Sequence, residues 1–158
     1  MRLFSPLMIL MVGCAAFEIA ELVYRGVVVW HKTNPGTVHR PVYLSSCEAI
    51  IWATKGKRYF FRPWANGGAR QAHNCIDEPI CQGDERLNHP AQKPLRLLEQ
   101  LLERHAPPNG RVLDPFAGVA STLVACNRKG LCAVGIEREA KYLRQGRLRL
   151  RAETGRVG

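Results

Sequence analysis

Residues 112–137 constrain this chain more than any other stretch. An apolar run, Val112-Leu-Asp-Pro-Phe116, leads into the small-residue turn Ala117-Gly-Val-Ala120, then a helical stretch, then a second apolar run ending in Gly135-Ile-Glu137. Strand, turn, helix, strand and acidic end make up half of a nucleoside-binding α/β fold. A turn of small residues lets a ligand approach the main chain closely. A carboxylate about 20 residues further on can accept hydrogen bonds from ribose hydroxyls. The pattern restricts the chemistry to a nucleoside-bearing cofactor.

The flanking segments fit the same class. Pro94 suits the first turn of a helix in which Leu95, Leu98, Leu101 and Leu102 form an apolar stripe, with Arg96, Glu99, Glu103 and Arg104 outside it. Pro107-Pro-Asn-Gly110 stops that helix and turns the chain into a strand over 111–116. Residues 122–128 are expected to be helical, 132–137 to be strand, and a closing helix to begin near Arg138. On that last helix Arg138, Lys141, Arg144 and Arg147 recur every three residues as a cationic stripe, opposite Leu143 and Leu150. It is either a solvated face or one that meets DNA.

Upstream, residues 8–13 are expected to form a buried parallel strand, 15–24 a helix and 26–30 the next strand, too apolar for a solvent-facing sheet. The apolar run after Arg2, with Met11-Val-Gly-Cys14, also imitates a secretory or lipoprotein leader. Because Glu18 to Val23 continue that run into an amphipathic pattern and a strand follows, the segment is read as core of a cytoplasmic protein with no membrane association. Residues 49–53 are a further strand candidate of uncertain type.

A chain of 158 residues is long enough for one core-bearing domain, and residues 1–158 are expected to fold as a single unit. A formal charge of +10 makes a polyanion the leading partner, with nucleic acid favoured over an acidic membrane surface. The periodic pattern vanishes over residues 57–88, where Pro63, Gly67, Gly68, Asn74, Pro79 and Gly83 interrupt any regular element, so this is read as a long loop. Loops of that length are often binding segments. Tyr59, Phe60, Phe61 and Trp64 lie beside Lys57, Arg58 and Arg62, a combination that stacks bases and tracks phosphates. A local cluster anchoring the loop explains the same residues equally well. Lys32, Lys55, Lys57, Arg58, Arg62 and Trp64 are the candidate DNA contacts.

Six cysteines, Cys14, Cys47, Cys75, Cys81, Cys126 and Cys132, contain no Cys-x-x-Cys pair and are read as reduced thiols. His73, Cys75, Cys81 and His89 match no common zinc spacing, and no metal is expected.

Three blocks resemble the amino-group DNA methyltransferases, which modify adenine N6 or cytosine N4, in the arrangement with the cofactor motifs C-terminal. His89-Pro-Ala-Gln-Lys-Pro94 followed by Leu95-x-x-Leu98 resembles the cofactor-pocket entry. Asp114-Pro-Phe-Ala-Gly118 with Ser121-Thr122 resembles the principal cofactor loop, and Gly135-Ile-Glu137 with Tyr142 the ribose segment. Val29-Trp30-x-Lys32-x-Asn34-Pro35, Glu48 to Trp52 and Lys55-Gly56 are similar to the family's central strands, so the resemblance spans most of residues 8–150. It implies a Rossmann-like sheet with helices on both faces, S-adenosylmethionine as cofactor, and double-stranded DNA as substrate in restriction-modification. The implied cofactor residues are His89, Gln92, Lys93, Pro94, Asp114, Phe116, Ala117, Gly118, Ser121, Thr122 and Glu137. Backbone N–H groups near Ala117 and Gly118, the Ser121 and Thr122 hydroxyls and Lys93 would meet the methionine carboxylate. Glu137 would take the ribose, while Phe116 and Pro94 would flank the adenine.

One part of the family pattern is not found. The catalytic loop, Asp/Asn/Ser-Pro-Pro followed by an aromatic residue, polarises the target amino group and stacks on the flipped base. In this sequence Pro107-Pro108 is followed by Asn109 and lies in the wrong place, and Asp114-Pro-Phe116 already belongs to the cofactor loop. The signature is expected before Met8, which leaves the fold N-terminally incomplete and the catalytic residue unidentified. Two readings follow: a methyltransferase that receives its loop from a second chain or is the C-terminal part of one, and an inactive cofactor- and DNA-binding remnant or accessory subunit. Ala120, where the family usually has glycine, is expected to place a methyl group near the cofactor.

Overall fold

A computed structural model describes residues 20–37, 41–63, 71–87 and 89–155. Strand β1 (Leu22–His31) pairs antiparallel with β2 (Cys47–Lys55), bringing Val27 opposite Ile51 and Val28 opposite Ile50. β-Branched residues suit this pleated pairing because their stiff side chains pack well across strands. Gly26 lies where the register shifts, and a Cβ there would stand 3.2 Å from Trp52 Nε1, so glycine leaves room for the indole. A three-residue strand, β3 (Cys75–Asp77), adds parallel to the other edge of β1, giving the order β2-β1-β3.

Helix α1 (Leu95–His105) starts after Pro94, whose backbone is extended. The Leu95 N–H donates to Glu85 Oε1 at 2.7 Å, so a side chain ten residues upstream serves as the cap. Strand β4 (Arg111–Asp114), helix α2 (Ser121–Arg128) and strand β5 (Cys132–Gly135) follow. β4 and β5 pair in parallel, with Leu113 opposite Val134. Helix α3 (Ala140–Thr154) closes the chain. Leu95 of α1 meets Val124 and Ala125 of α2 in the core, with Leu98, Leu102 and Leu150 packed around them. Arg128 ties the helices together through Glu153 of α3 at 2.6 Å and Glu99 of α1 at 3.5 Å.

The α/β class and the strand–helix–strand unit of residues 111–137 follow the sequence reading, and residues 49–53 are strand. Several expectations change. The helix expected over 15–24 is, among the described residues, a turn at 20–21 followed by strand, because Val23 and Tyr24 pair with Thr54 and Ala53. The strand expected at 8–13 lies outside the described residues. β1 is mostly half-buried rather than buried, and only Trp30 is fully enclosed. The loop of 57–88 contains β3 and a 3-10 turn, Gly83–Glu85, both short enough to leave no periodic trace. Leu97, off the expected apolar stripe, is the most enclosed leucine of α1, at 1% exposure. Among the described residues the strands form two sheets, β2-β1-β3 and β4-β5. No described helix is long and apolar enough to cross a membrane.

Candidate functional site

At the carboxyl ends of β4 and β5 the chain makes a clasp. Gly118 N–H donates to Glu137 Oε2 at 2.8 Å, and Glu139 N–H donates to Glu137 Oε1 at 2.7 Å. Gly118 has a φ of +54°, a left-handed conformation that glycine adopts without strain, and a Cβ there would stand 3.0 Å from His89 Nε2. The His89 ring meets Tyr142 edge-on with centroids 4.3 Å apart, and its Nδ1 accepts from Ala91 N–H at 3.2 Å. The His89 Nε2 faces Gly118. His89, Gly118, Glu137 and Tyr142, from all three blocks read in the sequence, thus converge.

The Glu139 N–H, with smaller help from Gly118, Arg138 and the nearby His89, holds the Glu137 carboxyl below the usual carboxylate range, against a smaller opposing effect of burial. An ionised carboxylate has about four acceptor sites, of which two are taken, so hydroxyl groups can still be received. Phe116 stands 88% exposed at the end of β4, its ring free to stack on a planar group. Asp114 Oδ1 accepts the Phe116 N–H at 3.0 Å and so shapes the turn.

Other candidates are engaged elsewhere. Ala117 N–H is bonded to Ile136 O at 2.9 Å and Gly118 N–H to Glu137, so neither is left to receive a carboxylate. Ser121 is buried and its hydroxyl accepts from Arg149 Nη1 at 2.9 Å. Thr122 lines a cleft of about 430 Å³ between α1, β4 and the β1-β2 sheet. Gln92 is buried, accepting Leu87 N–H at 2.8 Å and donating to Glu85 O at 2.6 Å, which makes it a brace for the preceding loop. Lys93 reaches Glu48 at 2.8 Å, and Pro94 is enclosed at the start of α1. The N-terminus of α2, which follows the Gly118 turn, has no side-chain cap, and the first-turn N–H groups and the helix dipole there favour an anion. Ala120, at φ +63°, occupies a left-handed position, which a glycine would adopt without strain. Its methyl faces Gly146 of α3, where a Cβ would lie 3.1 Å away, rather than the cofactor side.

The basic candidates divide in the same way. Lys32 is tucked in, its ammonium 2.9 Å from Glu48 and 5.5 Å from the Trp30 ring centre, which Lys93 approaches equally. Burial raises the Glu48 pKa, but the two lysines outweigh it and the net direction is down. Lys55, Lys57, Arg58 and Arg62 are exposed; Trp64 lies outside the described residues. Tyr59 and Phe61 pack on Trp52 at 5.7 and 5.6 Å, with His105 against both Trp52 and Phe61, so these aromatics anchor the loop. Cys81 is enclosed, with its thiol pushed up to about 11 by burial, and His73 and Cys75 are exposed. Among the described residues no three His, Cys, Asp or Glu side chains cluster as a metal site.

Arg149 was not anticipated. It reaches inward to Ser121, to Val119 O at 3.4 Å and to Glu85 at 4.0 Å, fastening α3 beneath the cofactor loop. Its one sequence signal is that it falls out of step with the three-residue series of cations on α3.

A family model for the DNA methylases of the N6 and N4 class matches residues 4–147. The chain belongs to this DNA methylase family. It is 32% identical over 136 residues to the type II methyltransferase M2.DpnII of Streptococcus pneumoniae, covering 80% of this chain and 50% of that protein. With M.HinfI of Haemophilus influenzae it shares 30% identity over 141 residues, 78% of this chain and 38% of the relative. The chain therefore spans half or less of the length of these two methylases. Among solved structures, an M1.HpyAVI–SAM complex superposes with a TM-score of 0.79 at 30% identity, covering 93% of this chain and 71% of that one. The cytosine-N4-specific PvuII methyltransferase, at 14% identity and a TM-score of 0.76, shares the fold.

Proposed function

We propose that this chain is the cofactor-binding part of a site-specific DNA methyltransferase that acts on an exocyclic amino group, adenine N6 or cytosine N4. The reading rests chiefly on the clasp of His89, Gly118 and Glu137 at the carboxyl ends of two parallel strands, where α/β folds bind nucleosides. S-adenosylmethionine would supply an activated methyl group on its sulfonium. The ionised Glu137 would accept the ribose hydroxyls, the exposed Phe116 would flank the adenine, and the uncapped N-terminus of α2 would face the methionine carboxylate. Asp114 and Tyr142 would shape the pocket from either side.

Duplex DNA would lie along the exposed cations Lys55, at the end of β2, and Lys57, Arg58 and Arg62, in the 57–88 segment as recognition loop of a single domain over residues 1–158. Polarising the target amino group needs the Asp-Pro-Pro-aromatic loop, which these residues do not contain; a preceding part of the same polypeptide or a second chain would supply it. Such work belongs in the cytoplasm, where the DNA is.

Two measurements test the reading. Calorimetric titration with S-adenosylmethionine should show one site, weakened at least about tenfold by Glu137→Ala, a loss of the order expected for charged hydrogen bonds. Labelled methyl incorporation into mixed DNA should be absent with the chain alone and appear when a loop-bearing fragment is added. Cofactor and DNA binding without turnover in both arms would instead mark a non-catalytic accessory subunit, the reading favoured by the absent loop.

A further inference from the structure

Helix α3 turns most of its cations to solvent. Gly146 presses on the Val119-Ala120 backbone, Leu150 packs against the core and Arg149 reaches inward to Ser121, and these residues define the buried side of the helix. Arg144, Arg147 and Arg151, three and four residues apart, share the other side, with Lys141 about a turn earlier, and all four are exposed. Elsewhere the chain matches such groups with carboxylates: Arg96 meets Glu78, Arg128 meets Glu99 and Glu153, Lys129 meets Glu103, and Arg138 meets Glu139. Among the described residues no carboxylate pairs with Lys141, Arg144, Arg147 or Arg151, and Glu153, the single acid of α3, is held by Arg128. Like charges at these spacings weaken a helix, so cations kept together without an internal counter-charge point to an external one.

We infer that the Lys141, Arg144, Arg147 and Arg151 face of α3 binds the phosphate backbone of duplex DNA, on a different element from the cations of residues 55–62. This surface does not depend on the methyltransferase reading. From Lys141 to Arg151 the helix rises about 15 Å, a length over which a duplex presents about nine phosphates. Two further features select this partner among polyanions. Leu148 is the one large apolar side chain exposed among these cations, whereas a helix lying in an anionic membrane buries a broad apolar face. No aromatic ring stands open here to stack unpaired bases, because Tyr142 is engaged edge-on by His89 and covered by the Lys141 ammonium, 4.6 Å from its ring centre. Contacts of this kind hold a duplex without reading its sequence.

The test measures affinity of the full chain for two duplexes of unrelated sequence as salt is raised. It compares the triple variant Arg144→Gln, Arg147→Gln, Arg151→Gln with the same three arginines changed to lysine. Neutralisation should lower the slope of log affinity against log salt by about 2.7 on both duplexes, at about 0.9 per phosphate contact, and the lysine variant should keep the slope. The glutamine variant should keep its melting temperature, since glutamine is close to arginine in helix propensity and no ion pair is lost. An unchanged slope, or an equal loss in the lysine variant, would overturn the proposal. So would a lowered melting temperature, which would give these arginines a structural role. Tighter binding to single strands than to duplex, or arginine-dependent capture by vesicles of anionic phospholipid with no loss on DNA, would overturn it in favour of those partners. Titration with S-adenosylmethionine keeps the two readings apart: the expected slope loss in a chain that binds no cofactor would defeat the methyltransferase assignment and leave this surface standing.

Discussion

The β4-α2-β5 unit and the β2-β1-β3 sheet are built from similar materials, yet they present their polar groups in opposite ways. In the first, Gly118, Glu137 and His89 converge on an open edge, with Phe116 standing in solvent. In the second, Lys32 and Lys93 are spent on Glu48, and Tyr59 and Phe61 on Trp52 and His105. A ligand site is marked by backbone conformation and free valence. Richness in cations and aromatics alone marks a region that can equally satisfy itself.

The largest effect that would break this contrast lies in the mixed sheet. Trp30 is 2% exposed and its Nε1 donates to Glu78 O at 2.7 Å, so Trp30→Ala should cost about 3–5 kcal/mol by chemical denaturation. A loss under about 1 kcal/mol would show that this sheet is not the structural half. Next, Gly118→Ala should cost roughly 1–3 kcal/mol through its left-handed backbone and crowd His89 Nε2. Cofactor affinity should fall with it, and unchanged calorimetric binding would separate the turn from the site.

Smaller effects sharpen the same division among the cations. Replacing Lys57 and Arg58 with Gln should lower the slope of log affinity for DNA against log salt by about two while leaving the melting temperature unchanged. Lys32→Gln should do the reverse, lowering the melting temperature with little change in slope, because its ammonium is held by Glu48. The smallest effect concerns His105, whose pKa is lowered by burial and then by Arg104. The unfolded chain takes up this proton first as pH falls, so the His105 contribution is intact above about pH 6.5 and declines below it. His105→Gln should flatten the melting-temperature profile in that window, and an identical profile would dismiss the coupling.

The segment that forms the Gly118–Glu137 clasp was legible before any coordinates because its signals are local. A small-residue turn between an apolar run and a helix needs only neighbouring residues to define it, and Gly118 and Glu137 sit 19 positions apart within one strand–helix–strand unit. Ser121, Gln92 and Lys93 read as equally good ligands by type and position. Their partners, Arg149, Glu85 and Glu48, come from segments 28, 7 and 45 residues away, and no local pattern announces them. Strand β3 was missed for the same reason: three residues carry no period, and pairing with β1 is what makes them strand.

Local periodicity and turn chemistry therefore determined the α/β class and the strand–helix–strand unit of residues 111–137, since hydrogen bonding and side-chain geometry over a few residues suffice for those. Folding in three dimensions decided which polar groups remain available, because a donor or acceptor is used up by whichever partner the packing brings within reach. It also left Leu113, Val134 and Ile136 in solvent. Alternation along a strand names two faces, but only the arrangement of whole elements says which of them is covered.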